Sequence, residues 1–373
     1  MSLRRRCLHL AVSLSPLLLV CLSPALLLSD TPAAPEEGVY GPYVSPRGYV
    51  CYRASAPPRI DGRLDDPCWR DAPWTEDFVD IEGASKPRPR FRTRAKMLWD
   101  DDYFYVGAEL EEPHVWATFT KHDSIIFRDN DFEVFIDPDG DNHQYYELEV
   151  NALNTTWDLF LPRPYRDKGK ALTNWEIPGL KTAVHVDGTL NNPKDTDRGW
   201  SVEIAFPWKA LTEVARREKL PRDGDQWRIN FSRVEWQVDL VDGHYRKRPG
   251  RLEDNWVWSP QGVINMHRPE TWGYVQFSTA KPGTAKFKPD PAGPARHFLH
   301  QIYYAQRAYR KAHGHWAKTL ADLGLAQLAQ ESFAGPPVLE TTTNLFEVTV
   351  PIKLSDGRVQ RWHIRQDSRV WSD

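Results

Sequence analysis

Between Asp129 and Asn151 apolar and polar positions alternate strictly, twice over. Phe132, Val134 and Ile136 interleave with Asp131, Glu133, Phe135 and Asp137, and Tyr146, Leu148 and Val150 interleave with Tyr145, Glu147, Glu149 and Asn151. Side chains two apart share a sheet face, so the pattern predicts two strands joined by a turn, each with one apolar face and one face of carboxylates and aromatics. The same period recurs at 94–99 and 103–110 around Asp100-Asp101-Asp102, a hairpin, and at 199–206, 226–232 and 272–277. One short helix is expected after Pro207, around Trp208-Lys209-Ala210-Leu211. Strands at this spacing without long helices between them predict an all-β, antiparallel, jelly-roll-like β-sandwich.

The pattern changes towards the C-terminus. Residues 281–295 (KPGTAKFKPDPAGPA) have the composition of a linker. Beyond it Phe298, Ile302, Ala305, Ala308, Tyr309 and Ala312 recur at helical spacing until Gly314, and 345–353 and 358–365 alternate around Ser355-Asp356-Gly357 as a hairpin, with Val370-Trp371 as a third short strand. Residues 296–373 are therefore expected to form a small α+β unit of one helix and a meander, docked on the sandwich because its own core is small. At the other end, Arg4-Arg5-Arg6 precede an apolar run from Leu8 to Leu28, the pattern of an export signal. The run is about long enough to span a bilayer, which leaves an uncleaved anchor open and with it the one expected membrane contact. The chain thus reads as signal peptide or anchor (1–34), tether (35–48), sandwich (49–280), linker (281–295) and C-terminal unit (296–373), exported to the periplasm or the extracellular space.

Composition sharpens this reading. With 16 Trp and 30 Pro among 373 residues, many strands and turns fit better than a helical bundle. The formal net charge of −3, without a basic block, argues against nucleic acid as a partner. Two cysteines, Cys51 and Cys68, lie beyond the signal; in an exported chain they are read either as a disulfide or as two buried free thiols.

A sheet face of carboxylates and aromatics suits a polyol: the C–H face of a sugar ring packs on a π face, and carboxylates and amides take its hydroxyls. Trp69, Trp99, Trp200 and Trp227 sit among alternating apolar residues and are expected in the core, whereas Phe127 lies in a less regular segment and is available for binding. Asp137, Asp139 and Asp141 crowd one turn. Hard oxygens at that spacing suit calcium, although the spacing is not that of an EF-hand and the same residues also make an ordinary β-turn.

In this setting the segment from about Tyr49 to Phe277 resembles the family 9 carbohydrate-binding modules. The resemblance rests on an ordered set: Ile60-Asp61-Gly62 with Trp69; Leu98-Trp99-Asp100-Asp101 with Tyr103-Phe104-Tyr105-Val106; Asp131 through Asp137; Glu149-Val150-Asn151; Trp200-Ser201-Val202-Glu203-Ile204; Ile229-Asn230-Phe231; and Pro269-Glu270-Thr271-Trp272-Gly273. It implies a calcium-stabilised β-sandwich that binds poly- or oligosaccharide between aromatic rings. By position, Phe127 would be one ring, Glu133 would accept hydroxyls, and Asn230 and Ser232 would fall near the amide contacts. Two positions depart from the family: Glu149 stands where a contacting arginine is usual, and Met266 or His267 stands near the second clamp tryptophan, for which Trp157, Trp256 or Trp258 could substitute.

The leading expectation is an exported, non-catalytic carbohydrate-binding protein supporting carbohydrate catabolism. Two alternatives remain. One is a glycoside hydrolase using a pair among Glu133, Glu147 and Glu149. The other is a redox sandwich binding haem non-covalently through Met266, since no C-x-x-C-H is present.

Overall fold

The alternating segments pair into one curled sheet. The structure is a computed structural model that describes residues 41–215, 220–326 and 333–373. The expected signal or anchor, Cys7 and Cys21, and residues 35–40 of the tether lie outside the described residues. The strands are β1 (Gly48–Arg53), β2 (Val79–Asp80), β3 (Thr93–Trp99), β4 (Tyr103–Glu111), β5 (Asp131–Asp137), β6 (Tyr145–Asn151), β7 (Thr156–Leu161), β8 (Lys181–Asp187), β9 (Gly199–Pro207), β10 (Gln226–Glu235), β11 (Val238–Val241), β12 (His244–Lys247), β13 (Asp254–Val257) and β14 (Gly273–Ser278). The main order is β7-β6-β5-β10-β14-β1-β3-β4-β9-β8, with β13 added beside β10 and β2 beside β13, while β11 and β12 form a separate hairpin. The all-β sandwich expected from the sequence is thus present. β1 is the exception to its antiparallel plan: it runs parallel to both β14 and β3 and joins the two halves of the sheet.

Because the sheet curls, the apolar faces of the two halves meet. Phe104 and Trp99 from one half lie against Phe277 from the other, at ring-centroid distances of 6.0 and 5.8 Å. Phe78 stacks against both Phe132 and Phe231, which also stack on each other. Trp208, on the expected helix α1 (Trp208–Leu211), packs edge-on against Trp227. Trp69, Trp99, Trp200 and Trp227 are all buried, as their alternation predicts.

A polar knot fixes one end of this core. The buried Glu203 carboxylate accepts hydrogen bonds from Trp69 Nε1 (2.7 Å), Asp61 N (2.9 Å) and Gly62 N (2.8 Å). Gly62 is required there: its φ is +84°, and a Cβ would lie 2.4 Å from the Val184 backbone. The separated sequence features Ile60-Asp61-Gly62, Trp69 and Glu203 are therefore one structural device.

The C-terminal expectation also holds. α2 (Gly293–His313) packs on a meander of β15 (Val338–Thr341), β16 (Phe346–Lys353), β17 (Val359–Arg365) and β18 (Val370–Ser372) through Phe298, Ile302, Tyr303, Val348 and Ile364. This unit docks on the sandwich by polar contacts. Tyr303 Oη and Ser368 Oγ donate to the buried Asp167 at 2.6 and 2.7 Å, and Arg369 Nε donates to Asp141 at 2.9 Å. Among the described residues no helix is long and apolar enough to cross a membrane.

The disulfide reading is corrected. Cys51 and Cys68 are free and buried in different apolar clusters, Cys51 in the main core and Cys68 beside Trp69 and Leu98. β1 turns one thiol into the curl while the turn at Pro67–Arg70 turns the other under β3.

Glu203→Ala would strand three donors in the core, and chemical denaturation is expected to show a loss of about 3 kcal/mol in unfolding free energy. A loss no larger than that of a surface substitution would show that the knot does not hold the turn.

Candidate functional site

The carboxylate face of β5 and β6 is far less open than the alternation implies. Every residue of both strands is buried. The reason is a plug: Ile81, Val257, Met266 and Trp272 settle on Phe135, Tyr145, Leu159 and Leu161 from the face opposite the main core. What remains is a cleft of about 320 Å³ whose lining includes Glu133, Glu147 and Glu149, with Phe127, Trp157, Tyr165, Met266 and His267. Four of the sequence-selected residues, Phe127, Glu133, Glu149 and Met266, are therefore brought together.

Register explains the grouping. Glu133 is paired with Glu149 across β5 and β6, and Glu149 with Trp157 across β6 and β7, so the three stand in one row. Phe127 sits just before β5, on a single turn at Ile126–Arg128, and its backbone N–H donates to Glu149 Oε2 at 2.8 Å. Phe127 remains 36% exposed and Tyr165 47%, so these two rings face solvent at the cleft. Tyr165 in turn packs edge-on against His267 at 4.5 Å.

The electrostatics are unusual. One oxygen each of Asp131, Glu133 and Glu149 lies within 4.8 Å of the others. None of these acids, nor Glu147, forms an ion pair among the described residues. Burial pushes the Glu133 carboxyl up to about 7, Glu253 adds to the rise, and the Ser232 hydroxyl opposes it. Burial, reinforced by neighbouring acids, also holds Asp131, Glu147 and Glu149 well above the ordinary carboxylate range. His267 is pushed down to about 3 by burial and by Arg166, so it stays neutral. Asp131 Oδ2, Glu147 Oε2 and Trp157 Nε1 are buried without a hydrogen-bond partner. The cleft thus offers carboxyls that hold protons more tightly than usual, which in the protonated form donate as well as accept, beside unpartnered polar atoms and rings.

Other sequence-selected residues fare differently. Asn230 is completely buried and fully committed: its Nδ2 donates to Ser259 O at 2.9 Å, while its Oδ1 accepts from Ser259 N at 2.9 Å and Phe231 N at 3.0 Å. It clamps β10 to the following loop and does not line the cleft, which corrects its reading as a binding amide. Ser232 lies behind Glu133 as its cross-strand partner, fully buried and outside the cleft lining. Trp256 and Trp258 are core residues, whereas Trp157 is a cleft ring. Tyr165 and Ile264 were missed: both sit on irregular segments where no periodicity marks a face. Met266 Sδ accepts from Gln261 Nε2 at 2.8 Å, so its sulfur is already engaged and lends no weight to a haem.

Two further acidic groups could hold a cation. At the turn after β5, one oxygen each of Asp137, Asp139 and Asp141 lies within 4.8 Å of the others, with Asn142 Oδ1 buried and unpartnered nearby in the chain. Asp137 accepts from Gly140 N and Asn142 N, which leaves each of its oxygens a further lone pair. This hard-oxygen set fits calcium, with Arg369 already on Asp141. The second group is His122, Asp123 and Asp158.

An all-β sandwich with a carboxyl-floored, ring-lined cleft is the class of protein that fold and site define. More particularly, residues 60–223 match the family described as carbohydrate family 9 binding domain-like. The exoglucanase XynX of Acetivibrio thermocellus is 29% identical over 158 residues, 42% of this chain and 12% of that protein. Endo-1,4-beta-xylanase A of Thermoanaerobacterium saccharolyticum is 26% identical over 155 residues, 42% of this chain and 11% of that protein. The chain therefore spans a small part of the length of these relatives. Among solved structures, a candidate carbohydrate-binding protein of Bacteroides uniformis aligns with a TM-score of 0.46 at 16% identity, covering 63% of this chain and all of the other. A family 9 module of Caldicellulosiruptor kristjanssonii in complex with cellotriose aligns at 0.39 and 15%, covering 65% of this chain and all of the other.

The folded state binds the Glu133 proton more tightly than the unfolded chain does, so stability from this group is greatest below the ordinary carboxylate range and falls as pH rises through about 7. The melting temperature contribution of this group is expected to fall between about pH 4.5 and 7, and to be absent in Glu133→Gln; identical slopes over that range would contradict the buried acid with its raised proton affinity.

Proposed function

We propose that the chain is an exported, non-catalytic carbohydrate-binding protein that holds a poly- or oligosaccharide in the cleft between Phe127 and Trp157 and supports carbohydrate catabolism. The observation that carries this reading is the convergence of Phe127, Trp157, Glu133 and Glu149 on one cleft within the segment that matches that family. The rings offer apolar faces to sugar C–H groups, and the carboxyls and unpartnered atoms meet hydroxyls. The matches to stretches of an exoglucanase and of a xylanase support a role beside glycan-degrading enzymes. Export rests on the basic start and apolar run of residues 4–28.

A hydrolase reading gains one observation, the Glu133 carboxyl raised to about 7 within a cleft. Acid–base hydrolysis, however, needs two carboxyls whose environments push them apart, one protonated and one ionised. Here Glu133, Glu147 and Glu149, the cleft acids carried by β5 and β6, are all pushed the same way, which favours binding.

We also propose a structural calcium ion at Asp137, Asp139 and Asp141, on the strength of their hard-oxygen set. It would fix the turn that receives the C-terminal unit.

A glycan array followed by calorimetry is the test of the cleft. Phe127→Ala and Trp157→Ala are each expected to weaken binding by about tenfold or more while leaving the fold intact. Binding unchanged in both, or reducing sugar released by the purified protein, would overturn the reading. For the turn, calcium is expected to raise the melting temperature of the chelator-treated protein, and Asp137→Asn to abolish that response.

A further inference from the structure

A second cavity, of about 510 Å³, lies where the segment before β1, the loop after β13 and the start of α2 meet. It is separate in its lining from the carboxyl cleft and opposite in character. Arg228, Arg296, Tyr43, Tyr274 and His297 line it. Arg228 is 3% exposed and has no carboxylate partner among the described residues. Its Nε and Nη2 donate to the carbonyls of Pro269 and Glu270, its guanidinium lies 4.0 Å over the Tyr274 ring, and its Nη1 is buried with no partner. The Tyr43 hydroxyl is likewise buried and unpartnered.

The charges around the cavity do not cancel. Of the lining acids, Glu270 is taken by Arg166 and Glu82 by Lys86. Arg296 donates to Gly140 O and pairs with Asp290 at 3.5 Å, and the Arg228 stem and the Arg296 guanidinium both border Gly140, so the two side chains stand close together. Their mutual repulsion, after burial, contributes to holding the Arg228 guanidinium below its ordinary range. The first turn of α2, at Gly293, Arg296 and His297, opens on the same space, with no side chain capping it, and adds the partial positive charge of a helix N-terminus.

We propose that this cavity is a second ligand site, for a small organic acid of the uronic-acid class: a carboxylate on a body the size of one sugar ring. The carboxylate would meet Arg228 Nη1 and the Tyr43 hydroxyl, the two unpartnered donors. A planar guanidinium matches a carboxylate in geometry as well as charge. The Tyr43 and Tyr274 rings supply an apolar wall for the ring body, and the volume exceeds what an inorganic oxyanion would fill. Neither site needs the other: the cleft takes neutral hydroxyls through its acids, and this cavity takes a negative charge through guanidiniums.

The test is calorimetry on the full chain with D-glucuronate, D-glucose and inorganic phosphate, together with a crystal soaked in glucuronate. Glucuronate is expected to bind, glucose not to compete at this cavity, and phosphate to bind more weakly. Arg228→Met is expected to weaken glucuronate by about thirtyfold and Tyr43→Phe by about fivefold, while Phe127→Ala has no effect. The milder Tyr43→Phe keeps the test decisive should Arg228→Met fail to fold. Glucuronate found in the carboxyl cleft and not here, affinity unchanged in Tyr43→Phe, or phosphate binding as tightly as glucuronate would overturn the proposal; the last two outcomes leave glycan binding at the cleft untouched, and the first would add to it.

Discussion

Burying several acids together without paired cations is the constraint from which the rest of this molecule follows. Charged carboxylates at the separations of Asp131, Glu133 and Glu149 would repel one another strongly in a medium of low polarity. Burial and mutual repulsion raise the proton affinity of each of them. A neutral carboxyl can donate as well as accept, and a row of them beside rings is a surface to which a hydroxyl-rich molecule can make many weak, directional bonds. The same burial pushes Glu133, Glu147 and Glu149 in one direction, so one physical choice shapes the whole acid row.

That choice requires a roof, and the roof comes from far away in the chain. The loop after β13 drops Met266 and Trp272 onto the outer face of β5 to β7. The C-terminal unit closes the neighbouring end through Asp141, Asn142, His143 and Asp167, which receive contacts from Arg369, His300, Asp367 and Tyr303. The contacts are polar because the turn after β5 is itself acidic, and α2 and β18 bring basic and hydroxyl groups to it. The cavity lined by Arg228 and Arg296 is a consequence of this docking, since α2 supplies one of the two arginines.

Much of the site was legible. The period of two placed Glu133 and Glu149 on one face, and the irregular stretch before β5 singled out Phe127; the structure sets all three in the same cleft. Asn230 and Ser232 occupy the right strand and the right face but the wrong depth. The amide of Asn230 is consumed by Ser259, a residue 29 positions away, and no local pattern announces that partner. Cys51 and Cys68 illustrate the same limit: their spacing allowed a bridge, while the direction each element turns its thiol put them in different clusters.

Alternation and turn chemistry alone determined the all-β sandwich, the hairpin of β3 and β4, the pairing of β5 with β6, and the C-terminal helix with its meander. These are short-range consequences of side-chain direction along a strand or helix. Tertiary structure decided which polar face would be covered, which acids would bind protons more tightly, and where Arg228 and Arg296 would come to line one cavity. Those outcomes depend on desolvation and on charges brought together from distant segments, and they come into being only when the sheet curls and the tail docks.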